Sequence, residues 1–136
     1  MRFVIDASSV LSWCFEDEFN DLARQTYEAL AEHPAIVPEL WSVEIANALL
    51  MAEKKNRVSA ERCERFADEI AALPIQVQES PLGYIGRLAV VARRYGLTAY
   101  DAAYLELAIR EGAALATRDQ SLRRAAAAAT VALFPA

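Results

Sequence analysis

Four carboxylates in this sequence stand where a charge is costly or oddly placed: Asp6, Glu44, Asp101 and Asp119. Asp6 ends the apolar run Phe3-Val4-Ile5, and Asp119 follows Leu115-Ala116-Thr117-Arg118. Glu44 interrupts Leu40 to Ala52, a stretch otherwise broken only by Ser42 and Asn47, and Asp101 lies among Tyr100, Ala102, Ala103 and Tyr104. An ionised carboxyl in a dry setting needs a cation, a donor network or a raised pKa. Each residue alone also has a plain structural reading. Asp6 or Ser8 can cap a following helix, and Asp119 another. Thr98 with Asp101 has capping-box spacing, with Asp in place of the preferred Glu or Gln, and Glu44 can emerge at a narrow polar edge.

The combination says more. In an open parallel sheet, functional groups gather beyond the carboxyl ends of the strands, where strand order reverses. Asp6 and Asp119 belong at that edge, and Glu44 and Asp101 lie on helices whose first turns can project into the same crevice. Four carboxylates at one site repel one another without a counter-ion. An all-oxygen donor set selects Mg²⁺ or Mn²⁺, and waters on such ions supply a nucleophile, most often for phosphodiester hydrolysis.

The elements that must position these groups follow from pattern and punctuation. Strands are expected at Arg2 to Asp6, Ala35 to Val37, Ile75 to Val77 and Ala113 to Thr117, with an edge strand at Thr130 to Leu133. Helices are expected over about Ser9 to Phe15, Asp21 to Glu32, Glu39 to Lys55, Ala60 to Leu73 behind a Ser59 cap, and Pro81 to Arg94. Two more run from Thr98 to Arg110 and onward from Asp119. Gly96 and Gly112 stand where helix-terminating residues belong. The near-continuous apolar character of Leu40 to Ala52 predicts a helix buried on all sides. Short strands alternating with helices imply an α/β fold, a three-layer α/β/α sandwich around a short, mainly parallel sheet.

Composition narrows the class. The 136 residues, 55% hydrophobic with a formal charge of −5, suit a single domain spanning 1–136 and exclude disorder. Only Cys14 and Cys63 are present, each expected inside a helix and without zinc spacing, so neither a disulfide scaffold nor a zinc site is expected. No stretch has the length of a membrane span and no secretory leader is visible, so a cytoplasmic protein is expected. The acidic balance argues against a general phosphate-attracting surface, though not against a nucleic-acid enzyme, because bound cations reverse the field of a carboxylate site.

The blocks carrying these acids resemble those of the PIN-domain nucleases. Val4-Ile5-Asp6-Ala7-Ser8 followed by Trp13, then Pro38-Glu39-Leu40-Trp41-Ser42-Val43-Glu44 with Asn47-Ala48-Leu49, match the early blocks. Leu97 to Tyr104 and Ala116 to Leu122 match the later ones. Size and order are similar to VapC-type toxins of bacterial type II toxin–antitoxin pairs, over essentially the whole chain. The resemblance implies a Mg²⁺-dependent endoribonuclease, with Mn²⁺ able to substitute, that cuts RNA, forms a homodimer and is held inactive by a small antitoxin. It puts Asp6, Glu44, Asp101 and Asp119 at the acidic metal-site positions, Asp6 and Asp101 as the firmest ligands. Ser8 and Thr117 become neighbouring hydroxyls that hold a carboxylate or phosphate; apart from the resemblance, Arg118 is the basic residue best placed for a phosphate contact, being adjacent to Asp119. Some relatives carry a further acid two residues beyond Asp119. Here that residue is Ser121, so a permanently occupied second metal site is not implied.

Other catalytic classes fail on the residues. The single His33, before Pro34, cannot supply paired imidazoles and is expected to be a solvated loop residue, and no nucleophile-elbow or phosphate-loop motif occurs. A haloacid-dehalogenase-type phosphatase wants a second Asp where Ser8 stands, and a receiver domain wants an acidic pair near Asp6. Basic clusters at Lys54-Lys55 with Arg57, Arg93-Arg94, and Arg118 with Arg123-Arg124 are either solvated helix ends or phosphate contacts. Trp13, Trp41, Tyr100 and Tyr104 are either base-stacking groups or core. The non-enzymatic alternative is an interaction module whose acidic cleft receives an Arg or Lys from a partner.

Overall fold

The computed structural model describes residues 1–135. The strands are β1 (Phe3–Ile5), β2 (Ala35–Pro38), β3 (Ile75–Gln78) and β4 (Ala114–Ala116), and the helices are α1 (Ala7–Leu11), α2 (Asp21–Ala29), α3 (Leu40–Lys54), α4 (Ala60–Ala71), α5 (Tyr84–Tyr95), α6 (Ala99–Glu111) and α7 (Gln120–Ala128). The strands form one sheet in the order β3-β2-β1-β4, and every pairing within it is parallel. β1 and β2 are central and fully buried, as their unbroken apolar runs require. The chain steps from β1 to β2 to β3 in one direction along the sheet, and connections between parallel strands are right-handed as a rule. The path then returns past both to β4, which puts α5 and α6 on the opposite face from α1 to α4. Strand order therefore reverses between β1 and β4. The core is centred on Phe3, Ile5, Ile36, Leu105, Leu107 and Leu115, all without exposed surface.

Several boundaries differ from the sequence expectation for visible reasons. α1 ends at Leu11 rather than Phe15: the Ser12 hydroxyl turns back onto the Ser9 carbonyl at 2.5 Å, and the Trp13 indole N–H is drawn to the Ala23 carbonyl at 2.9 Å. Cys14 therefore lies in a turn, not a helix, while Cys63 is buried in α4. α2 stops at Ala29, three residues before Glu32. α5 begins at Tyr84 rather than Pro81, because Gly83 takes the left-handed φ of +73° and Ser80 is pinned by its N–H and hydroxyl to Glu39 at 2.8 and 2.6 Å. Gly96 and Gly112 end α5 and α6 in the left-handed conformation as expected. The edge strand at Thr130 to Leu133 is reduced to a single bridge from Leu133 to Leu115.

The largest correction concerns α3. Only Trp41, Ile45, Leu49 and Ala52 are buried, one stripe at helical spacing, while Val43, Leu50 and Met51 face outward. Its all-round apolar character marks an uncovered surface rather than a helix enclosed by the fold. Leu82 and Ile85, at the start of α5, are also exposed.

Candidate metal centre

The exits of β1 and β4 are stitched together at the sheet's switch point. The backbone N–H of Asp6 donates to Ala116 O at 3.2 Å. Asp6 is the N-cap of α1: its Oδ1 accepts from the Ser9 N–H at 2.9 Å and the Ser8 hydroxyl at 3.0 Å. Oδ2 accepts from the hydroxyl of Thr117, which is itself buried. Thr117 Oγ1 in turn accepts the Asp119 N–H at 3.0 Å, and the Arg123 guanidinium donates to the Thr117 carbonyl at 3.0 Å. Asp119 caps α7 through the Leu122 N–H at 2.8 Å. The capping readings of Asp6 and Asp119 thus hold, and both residues stand at the carboxyl edge of the sheet.

The two helical acids come from opposite faces. Asp101 sits in the first turn of α6, whose N-cap Thr98 accepts the Asp101 N–H at 3.1 Å. Glu44 sits in the second turn of α3, half-buried, and its Oε1 receives the Tyr104 hydroxyl at 2.5 Å.

Electrostatic coupling links some of these groups. Burial lifts the Asp6 carboxyl above its usual 3.8, against the pull of the Thr117, Ser9 and Ser8 donors. Glu44 is raised from 4.5 first by partial burial, and then by the negative fields of Asp101 and Asp6, with the Tyr104 bond opposing. Asp101 is raised from 3.8 by burial and then by Asp119 and Asp6, with no hydrogen bond to relieve it. Burial and Glu44 drive the Tyr104 phenol far upward, so it remains a donor. The four carboxylates expected from the sequence are therefore coupled in part: Asp101 feels Asp119 and Asp6, and Glu44 feels Asp101 and Asp6. The set is open: among the described residues no three Asp, Glu, His or Cys groups converge closely enough to cage an ion.

The flanking residues divide. Ser8 is bound to Asp6 as expected of a neighbouring hydroxyl, and so is Thr117. Arg118 instead pairs with Glu18 at 3.4 Å, and Arg57 pairs with Asp17 and Glu18 while lying over the Phe15 ring. Of the aromatic candidates, Trp41 and Tyr104 are buried, the Trp13 indole is bonded to Ala23 O, and Tyr100 is exposed. His33 is not the free loop residue expected: it is half-buried, its Nδ1 has no partner, and its ring meets Phe134 edge-on. Residue reasoning also missed Glu106, buried on α6 between Arg87 and Arg110 at 2.9 and 3.1 Å. Its i,i+4 spacing to Arg110 was legible, but the link to Arg87 on α5 requires the packed structure.

The family model of the PIN domain matches residues 3–128. This chain belongs to the PIN domain family. Solved structures with the same fold include PAE2754 from Pyrobaculum aerophilum (TM-score 0.68, 24% identity, covering 90% of this chain and 77% of that one). VapBC2 from Rickettsia felis, bound to a DNA fragment from its promoter, aligns with a TM-score of 0.70 at 16% identity over 98% of this chain and 97% of that one. FitAcB from Neisseria gonorrhoeae aligns with a TM-score of 0.66 at 15% identity over 98% and 96%. A comparison with curated proteins finds no match. Within this PIN domain the donor set fits a hard divalent cation. Every group is an oxygen acid, burial and then neighbouring carboxylates push Glu44 and Asp101 toward protonation, and among the described residues the Asp101 carboxylate has no hydrogen-bond partner. An open set suits Mg²⁺, which takes one or two carboxylates directly and keeps several waters. Among the described residues no helix is long and apolar enough to cross a membrane.

Proposed function

We propose that this PIN domain is a Mg²⁺- or Mn²⁺-dependent endoribonuclease, acting over residues 1–136 as the toxin of a toxin–antitoxin pair in the cytoplasm. The observation that carries the reading is the arrangement at the β1–β4 switch point, where Thr117 links Asp6 to Asp119, Asp101 feels the fields of Asp119 and Asp6, and Glu44 feels those of Asp101 and Asp6. A toxin–antitoxin complex from Klebsiella pneumoniae that aligns with a TM-score of 0.62 at 17% identity over 86% of each chain supports the biological role. A divalent ion bound here activates water and neutralises charge developing on a phosphate.

The chain's own groups have distinct tasks. Asp6 and Asp101 hold the ion, and the donors from Ser8, Ser9 and Thr117 fix the Asp6 carboxylate before anything binds. Glu44, half-buried and bonded on one oxygen, orients a water with the other. Asp119, whose Oδ1 is engaged as a cap, contributes through water. Arg118 is held only by a half-exposed pair with Glu18, an interaction of little worth, so it is free to exchange onto a phosphate.

A small antitoxin would silence the site by placing a guanidinium among the carboxylates, where bidentate pairing replaces the cation. The apolar residues left bare near the carboxyl edge, Val43 on α3 with Leu82 and Ile85 around the start of α5, support association of two copies as a homodimer.

The test is direct. Purified, partner-free protein is expected to cleave single-stranded or loop RNA with Mg²⁺ or Mn²⁺ and to stop in EDTA. Asp6→Asn and Asp101→Asn should each lower cleavage by orders of magnitude while circular dichroism stays native. Full activity in both variants rejects the assignment, and a protein that binds a basic partner segment but never cuts RNA is a binding module.

A further inference from the structure

Tyr104 is almost wholly buried, yet carries a hydroxyl that must find a partner in the interior. It finds one on a different element. The phenol on α6 donates to Glu44 Oε1 on α3 at 2.5 Å, a contact spanning 60 residues of sequence and the two faces of the sheet. Tyr104 lies one turn beyond Asp101 on α6, so both side chains leave the helix on the same side. One rigid ring thus meets the Glu44 carboxylate and is anchored on the helix that carries Asp101.

We propose that Tyr104 is a positioning residue of the acidic site: its hydroxyl fixes the rotamer of Glu44 by occupying Oε1 and leaves Oε2 to face the crevice. This rests on the nuclease reading above and deepens it. A glutamate has three rotatable bonds, and Glu44 receives no other hydrogen bond among the described residues. Without the phenol its carboxylate samples rotamers that turn away from Asp6 and Asp101. Tyr104 touches neither substrate nor ion, and acts only through Glu44. Ring packing contributes to the core with or without the hydroxyl, so Tyr104→Phe separates the two roles.

The experiment measures Mn²⁺ binding by calorimetry and RNA cleavage by kcat and KM, in wild type, Tyr104→Phe, Glu44→Ala and the double variant. Tyr104→Phe is expected to lose about 10- to 100-fold in Mn²⁺ affinity or kcat, the usual effect of removing a group that orients a metal ligand, with RNA KM unchanged. In the Glu44→Ala background the further loss should vanish, because the acceptor through which Tyr104 acts is gone. Equal losses in both backgrounds, or no loss in either, overturn the proposal. A second readout needs no Tyr104 variant: the sheltered phenolic proton should give a proton NMR signal that disappears in Glu44→Ala and shifts when Mg²⁺ is added. A signal indifferent to both also overturns it. If wild-type protein neither binds Mn²⁺ nor cuts RNA, the nuclease reading itself has failed, and this inference with it.

Discussion

Thr117→Val isolates the bond that ties the two ends of the site together. Valine matches the shape of threonine, so the buried position stays filled, but the donor to Asp6 Oδ2 disappears. Asp6 is buried and already raised by desolvation, which makes each of its donors valuable. A hydrogen bond to such a charged group is worth about 1.5–3 kcal/mol. The Asp119 N–H also loses its acceptor, but Asp119 is exposed and water replaces it at small cost. The net loss is about 2 kcal/mol, which for a chain of this size lowers Tm by about 6–10 °C. Thr117→Ser keeps the hydroxyl and gives up one methyl group, a loss of about 1 kcal/mol. Thermal melts followed by circular dichroism in EDTA at neutral pH should therefore rank wild type above Thr117→Ser and Thr117→Val lowest. Mn²⁺ affinity should be close to wild type in the serine variant only. A valine variant melting within about 2 °C of wild type, or above the serine variant, would refute the reasoning.

The remaining predictions concern charge. Asp101→Asn should melt higher than wild type in EDTA, because it removes a repelling partner of Glu44, while abolishing Mn²⁺-dependent cleavage; a lower melting point in EDTA contradicts the electrostatic account. The pH dependence has a definite sign. A carboxyl raised on folding binds its proton more tightly in the folded state, so its stabilising contribution is full below the ordinary values of 3.8 for Asp and 4.5 for Glu and is lost as pH rises through the folded value. In EDTA, wild type should therefore lose Tm relative to Asp101→Asn as pH rises from acid toward neutral, and Mg²⁺ should remove that difference in slope. Glu106→Ala leaves Arg87 and Arg110 without their buried partner, and because both retain contact with water the cost is about 2 kcal/mol. Its Mn²⁺ affinity should match wild type, since Glu106 belongs to the α5–α6 packing and not to the acidic crevice.

Local chemistry made much of this fold legible. Ser59, Thr98 and Asp119 cap helices as their side chains dictate, and Gly96 and Gly112 terminate them where a left-handed residue was needed. The buried strands announced themselves as apolar β-branched runs, and their alternation with helices implied the parallel sheet that places Asp6 beside Thr117. Composition misled where it could not tell an enclosed surface from an uncovered one. α3 is apolar all round because part of it faces outward, a distinction that hydropathy alone does not draw. The early end of α1 depends on a Trp13 bond to α2, and the burial of Glu106 depends on Arg87 across a helix pair. The same holds for Tyr104, whose type suggested stacking or core packing. Its bond to Glu44 exists only once α3 and α6 are brought together by the sheet.

The strand order has a bearing on biosynthesis. β1 leaves the ribosome well before β4, its neighbour across the crevice, and the Asp6–Thr117 contact closes a separation of 111 residues. No earlier segment can stand in for that partner, because β2 occupies the other edge of β1. A nascent chain that ends before the fourth strand therefore carries Asp6 with one of its three donors missing, and whatever chemistry the crevice performs waits until translation has passed that strand.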